Sequence, residues 1–142
     1  MKKLFSTLRN DRFVDIAILI MRIWIGCFML THGTPKLMKL FSDVPIQFAD
    51  PIGIGIYFSF ILAVFAEFFC SCFLILGLAS RASLIPLIIN MSVAGFIVHS
   101  NDPFGRKEMA FLFLLVYIVL FLLGSGKYSL DRVIETKLNV QK

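Results

Sequence analysis

Apolar residues fall in four long stretches, at about 13–32, 51–76, 82–99 and 108–124. At 1.5 Å per residue, each is long enough to cross a hydrocarbon core of roughly 30 Å, the last two near the short limit. The pattern predicts four helices. Gly33 and Pro35 are expected to stop the first, since glycine favours a left-handed cap and proline cannot continue a helix. Asp50-Pro51 reads as an N-cap followed by proline at the first helical position. Gly77 is expected to end the second helix, and Gly124-Ser125-Gly126 the fourth. Ser129 reads as the cap of a short final helix to about Leu138. Between the first two helices, Leu37, Leu40, Phe41 and Val44 recur at i, i+3, i+4 and i+7. That spacing predicts a short amphipathic helix lying in the membrane interface; an ordinary loop with chance spacing is the alternative.

Three of the four stretches carry a polar residue: Arg22, Glu67 and Asn90. A charge in mid-membrane costs roughly 3 kcal/mol, so each needs a partner. Counted from the end of the chain where the termini lie, all three fall at one depth, roughly 12–14 Å in. An Arg22–Glu67 ion pair with Asn90 hydrogen-bonded to it is therefore expected. Small neighbours (Gly26, Ala63, Ser71, Ala94) would permit close helix approach. The trio either staples the helices together or makes Glu67 a proton-handling group. A second polar set, His32, Lys36, His99 and Glu108, is expected near the opposite interface. It reads as an interfacial hydrogen-bond cluster or a headgroup site for an amphiphile such as a quinone, its tail in lipid. Its spacing is too non-local to suggest a metal site, and none is expected.

Composition agrees with a membrane protein. Of 142 residues, 58% are hydrophobic and 16% charged, against about 45–50% and 25% in soluble domains. The excess is spread along the chain, predicting one integral membrane domain over residues 1–142 rather than a soluble domain with an anchor. The net charge of +5 does not indicate nucleic-acid binding. With both termini cytoplasmic, the inner side holds Lys2, Lys3, Arg9, Arg12, Arg81, Lys127, Arg132, Lys137 and Lys142. The outer side holds Lys36, Lys39, Arg106 and Lys107, which satisfies the positive-inside bias. The basic start resembles a signal peptide, but the apolar run is long, contains Arg22 and lacks a small-residue cleavage site, so a retained helix is expected. Cys27, Cys70 and Cys72 lie in apolar stretches without a C-x-x-C pair. They read as small buried hydrophobes rather than as a disulfide.

Four short motifs in order resemble the DoxX family of small four-helix membrane proteins. They are Arg22 with Gly26-Cys27-Phe28-Met29-Leu30-Thr31-His32-Gly33-Thr34-Pro35-Lys36-Leu37, and Glu67 leading to Leu76-Gly77-Leu78-Ala79-Ser80-Arg81. Then come Met91-Ser92-Val93-Ala94 to His99 with Phe104-Gly105 and Glu108, and Gly124-Ser125-Gly126-Lys127-Tyr128-Ser129-Leu130-Asp131. The resemblance implies an all-α, integral membrane four-helix bundle in the bacterial cytoplasmic (inner) membrane. It implies a quinone-interacting subunit or partner of a membrane-associated oxidoreductase in redox or detoxification chemistry. Relatives of that kind also leave open a non-enzymatic assembly factor or small-molecule carrier. The lipid bilayer and an oxidoreductase partner protein are the implied partners, and a homo-oligomer is compatible with this reading. A bound quinone is the one cofactor suggested.

Overall fold

The apolar stretches all form helices, but several of their ends lie elsewhere than the local signals suggest. The structure, a computed structural model, describes residues 10–140. Lys2, Lys3, Arg9 and Lys142, used above for orientation, lie outside the described residues. The chain is all-helical, with no strand among the described residues. We number the helices α1 (Asp11–Leu40), α2 (Ile56–Leu76), α3 (Ser80–Val98), α4 (Phe104–Leu123) and α5 (Leu130–Val140). The first three are long and apolar enough to cross a membrane. Helix α4 carries Arg106, Lys107 and Glu108 in its first turns, which leaves 109–123 as its apolar part.

Helix α1 does not stop at Gly33 and Pro35; it continues to Leu40. Gly33 has a different role from the predicted cap. A Cβ there would lie 2.6 Å from the backbone carbonyl carbon of Glu67. Glycine thus lets α1 and α2 touch backbone to backbone. Pro35 removes one helical N–H, yet the turn beyond it persists because Lys36 is tied to α2 by an ion pair. The expected separate interfacial helix is accordingly absent: Leu37 and Leu40 belong to the last turn of α1, and Val44 lies in an irregular segment.

Helix α2 starts at Ile56, not at Pro51. Asp50 instead closes a turn, accepting from the backbone N–H of Ile54 (3.1 Å) and Gly55 (2.8 Å) and from the Ser59 hydroxyl (2.8 Å). Gly53 and Gly55 adopt positive φ here (70° and 99°), which a side chain would resist. At the far end of α2 the prediction holds. Gly77 is left-handed (φ 68°), and Leu78 N–H reaches back to Phe73 O at 2.9 Å. Ser129 Oγ accepts from Arg132 N–H and so caps α5.

Packing runs in a ring: α1 on α2, α2 on α3, α3 on α4, and α4 back on α1. The interior holds Ile18, Met29, Leu74, Leu84, Leu87, Tyr117 and Leu120. The outer surface is apolar too: Trp24, Phe28, Ile89 and Leu115 are each at least half exposed. A surface of that kind suits lipid rather than water as solvent. We call the end formed by Asn10, Gly77–Ser80 and Gly124–Ser129 basal, and the end with the 41–55 segment distal.

Two helices depart from α geometry, α2 near its middle and α3 at its distal end. Residues Phe65–Cys70 in α2 and Ala94–Val98 in α3 form wider π turns. In the second, His99 N–H bonds to Ala94 O at 3.0 Å. Such turns recur at functional sites, where they re-aim side chains. The distal part of α2 packs on α1, whereas the π turn of α3 packs on α4. A space is left between them.

Candidate functional site

That space is a cavity of about 420 Å³. Its walls are apolar residues of α2 and α3, among them Leu62, Phe65, Ile89 and Val93. Leu62 and Ile89 are also half exposed on the outer surface, so the cavity opens sideways between the two helices. Phe48, Ala49, Pro51 and Ile52 of the 41–55 segment cover its distal side. The Asp50 turn fixes this cover to α2 through Ser59. The Ser59 hydrogen bond, with the backbone donors behind it, holds the Asp50 carboxyl below its ordinary range.

The polar lining comes from five side chains: Lys36, Ser59, Glu67, Asn90 and His99. Glu67 projects from the π turn of α2 and is 4% exposed. Lys36 Nζ donates to both its carboxylate oxygens, at 2.5 and 2.6 Å. Asn90 Nδ2 donates to Oε1 at 3.0 Å. Lys36 also lies 5.6 Å from the centre of the Phe48 ring, a cation–π contact that ties the cover to the ion pair. A buried carboxylate that accepts three hydrogen bonds, two of them from a cation, is fully compensated, and the pair adds no net charge to the cavity.

His99 stands at the end of α3. Its Nδ1 is 2.7 Å from Asp102 Oδ2. Hydrogen bonding to His99, reinforced by Arg106 and Lys107, keeps the Asp102 carboxyl below its ordinary range. An ionised carboxylate can only accept, so Nδ1 carries the proton, and in neutral His99 the Nε2 atom is an acceptor. This is the carboxylate–histidine arrangement that fixes a tautomer.

The expected Arg22–Glu67 pair is not formed. Arg22 is 1% exposed, but its guanidinium points to the basal end. Nη1 donates to Ser125 O, and Nη2 to Tyr128 O at 2.9 Å. Gly77 leaves room for it, since a Cβ there would lie 2.6 Å from Nη1. Glu67 packs at Gly33, about 16 Å along α1 from Arg22. The depth count failed because it took residues 13 and 76 as level. The basal turns at Gly77 and Gly124 instead fold inward to the height of Arg22.

The predicted outer set is dispersed. His32 is exposed on α1, edge-on to Phe113 of α4 with ring centres 6.1 Å apart. Glu108 is exposed on the first turns of α4. Only Lys36 and His99 line the cavity. Among the described residues, no three His, Cys, Asp or Glu side chains stand close enough to hold a metal. Sequence reasoning missed Phe48, Ser59 and Asp102, and it placed Lys36 with the wrong partners. The signal for Lys36 was present: Arg22, Gly26, Met29, Gly33 and Lys36 step by four and three along one helix face. Reading Pro35 as a stop cut that stripe short.

The DoxX family model matches residues 17–100, which span most of α1 through α3 and include every polar residue lining the cavity. An uncharacterized protein of Haemophilus influenzae is 26% identical over 127 residues, covering 84% of each chain. No solved structure matches.

Proposed function

The chain belongs to the DoxX family, and from that premise and the cavity between α2 and α3 we propose that it binds a quinone-type headgroup for a membrane-associated oxidoreductase. The observation that carries this reading is the chemistry of the lining. The walls are apolar and open sideways. The deep ion pair of Lys36 and Glu67 neutralises itself. A charged ligand would find no unpaired counter-charge in that pair. A flat neutral ring with two carbonyl oxygens would find N–H donors on Lys36 and Asn90, the hydroxyl of its reduced form an acceptor at His99 Nε2, and its tail an apolar exit. His99, held by Asp102, is placed to exchange a proton at a headgroup oxygen. Electrons come from the partner oxidoreductase.

In this reading all four helices α1 to α4 cross the bacterial cytoplasmic membrane with both termini inside. Arg12, Arg81, Lys127, Arg132 and Lys137 lie at the basal end or on the helix that follows it. The distal end holds Lys36, Lys39, Arg106 and Lys107, so the larger share of Lys and Arg lies on the basal side, as the positive-inside bias requires. The test is mass spectrometry of quinones that co-purify under mild extraction, native against His99→Ala. Quinone retained by the native protein and reduced in the variant supports the reading. Absence of quinone from both samples overturns it in favour of an assembly or carrier role.

A further inference from the structure

The basal end carries a second concavity that the quinone reading does not use. The start of α3, the 124–127 turn and the first turns of α5 enclose a groove of about 590 Å³. Its charged lining is Arg81, Lys127, Arg132, Asp131 and Glu135. Both carboxylates are engaged within the chain. Asp131 accepts from the backbone N–H of Ala79 (2.6 Å) and Ser80 (2.9 Å), and Glu135 pairs with Arg132 at 2.7 Å. Among the described residues neither Arg81 nor Lys127 has an ion-pair partner. Two unspent cations therefore face one groove. Ser80 also lines it; the residue is 1% exposed, and its buried hydroxyl has no hydrogen-bond partner within the protein.

Helix α5 supplies the second half of the argument. Leu130, Val133, Ile134 and Leu138 are between 41% and 61% exposed and share one side of the helix. Asp131, Arg132 and Glu135 lie on a different side, toward the groove. The helix follows directly on the basal end of α4 and is pinned there by Asp131 and by the Arg22 bonds to the preceding turn. A short amphipathic helix fixed at the end of apolar spans lies with its apolar side among acyl chains.

We infer that the basal groove binds the phosphate of an anionic phospholipid, clamped by Arg81 and Lys127, with the apolar side of α5 embedded beside its acyl chains. A soluble phosphate would use the same cations but would leave that apolar side unexplained. The decisive experiment is thermal melting of the full-length protein in neutral detergent with added phosphatidylglycerol, phosphatidylcholine or inorganic phosphate. Phosphatidylglycerol is expected to raise the melting temperature well beyond the other two. Its apparent affinity should fall about thirtyfold in Arg81→Gln/Lys127→Gln, roughly fivefold per cation. Equal shifts from both lipids, or a phosphatidylglycerol shift that survives in the variant, would overturn the inference. So would an equal shift from inorganic phosphate, which would mark a site for soluble anions. Native mass spectrometry of the unaltered protein asks the same question without relying on the variant's folding. A phosphatidylglycerol adduct should persist under activation that strips phosphatidylcholine, and equal loss of both would count against the site.

Discussion

At the basal end, Arg22 is buried and its guanidinium is held by carbonyl oxygens of the turn after α4. At the distal end, Glu67 is buried and held by two flexible side chains, Lys36 and Asn90, beside an open cavity. Both charges face inward, and both are hydrogen-bonded. The difference lies in what surrounds them. Arg22 is enclosed by main chain that cannot move without unfolding the turn, with Gly77 pressed against it. Glu67 borders a space, under a cover held by the Asp50 turn, by the Lys36–Phe48 cation–π contact and by edge-on packing of Phe48 against Phe60. The first arrangement fixes the fold; the second can rearrange around a ligand.

The sharpest way to break this contrast is to remove Arg22. Arg22→Met is expected to destabilise the protein by about 3 kcal/mol, because two carbonyl oxygens of the basal turn lose their charged donor. A shift within 0.5 kcal/mol in a detergent melt would mean that the basal turn does not depend on it. Gly33→Ala comes next. Its methyl would meet the Glu67 backbone, not a flexible side chain, and separating α1 from α2 should cost about 2 kcal/mol. Unchanged stability would contradict the backbone contact.

Double-mutant cycles sharpen the comparison further. Lys36→Met strands the Glu67 carboxylate, whereas Lys36→Met/Glu67→Leu should recover about 1–2 kcal/mol of the loss. Arg22→Met with Glu67→Leu should instead be additive within roughly 0.5 kcal/mol, since the two sites are far apart. Coupling in the second cycle and none in the first would reverse the assignment of partners.

The smallest effect is on the cover. Asp50 has a lowered folded pKa, so the stabilisation from its hydrogen bonds is complete above its unfolded value, about 3.9. It is lost as the pH falls through the lower folded value. Amide exchange in 41–55 should thus be unchanged between pH 7 and 5 after correction for intrinsic rates. Ser59→Ala should speed it at both. Equal exchange in native and variant protein would show that the Asp50–Ser59 bond does not hold the cover.

Much of the fold was legible because lipid imposes long apolar runs, and glycine at Gly77 and Gly124 marks helix ends without competition from packing. Asn90 beside Glu67 was legible too, since two polar groups in neighbouring helices must satisfy each other. What the residues did not reveal were the places where packing overrides a local signal. Gly33 serves a close approach, not a cap. Pro35 is tolerated because the turn beyond it is anchored. Asp50 closes a loop six residues before α2 begins. Gly33 and Pro35 depend on a neighbour far along the chain, Asp50 on a turn whose glycines hide the start of α2, and the partner of Arg22 lies on a turn a hundred residues away.

The central claim is that the distal cavity takes the ligand while the basal charge serves structure. It is tested most directly by photolabelling membranes with a photoreactive benzoquinone bearing an isoprenoid tail, then sequencing the labelled peptides. Label should fall within 59–66 and 86–99 and be displaced by excess unlabelled quinone. Label concentrated at 124–135, or label that competitor does not displace, would contradict it.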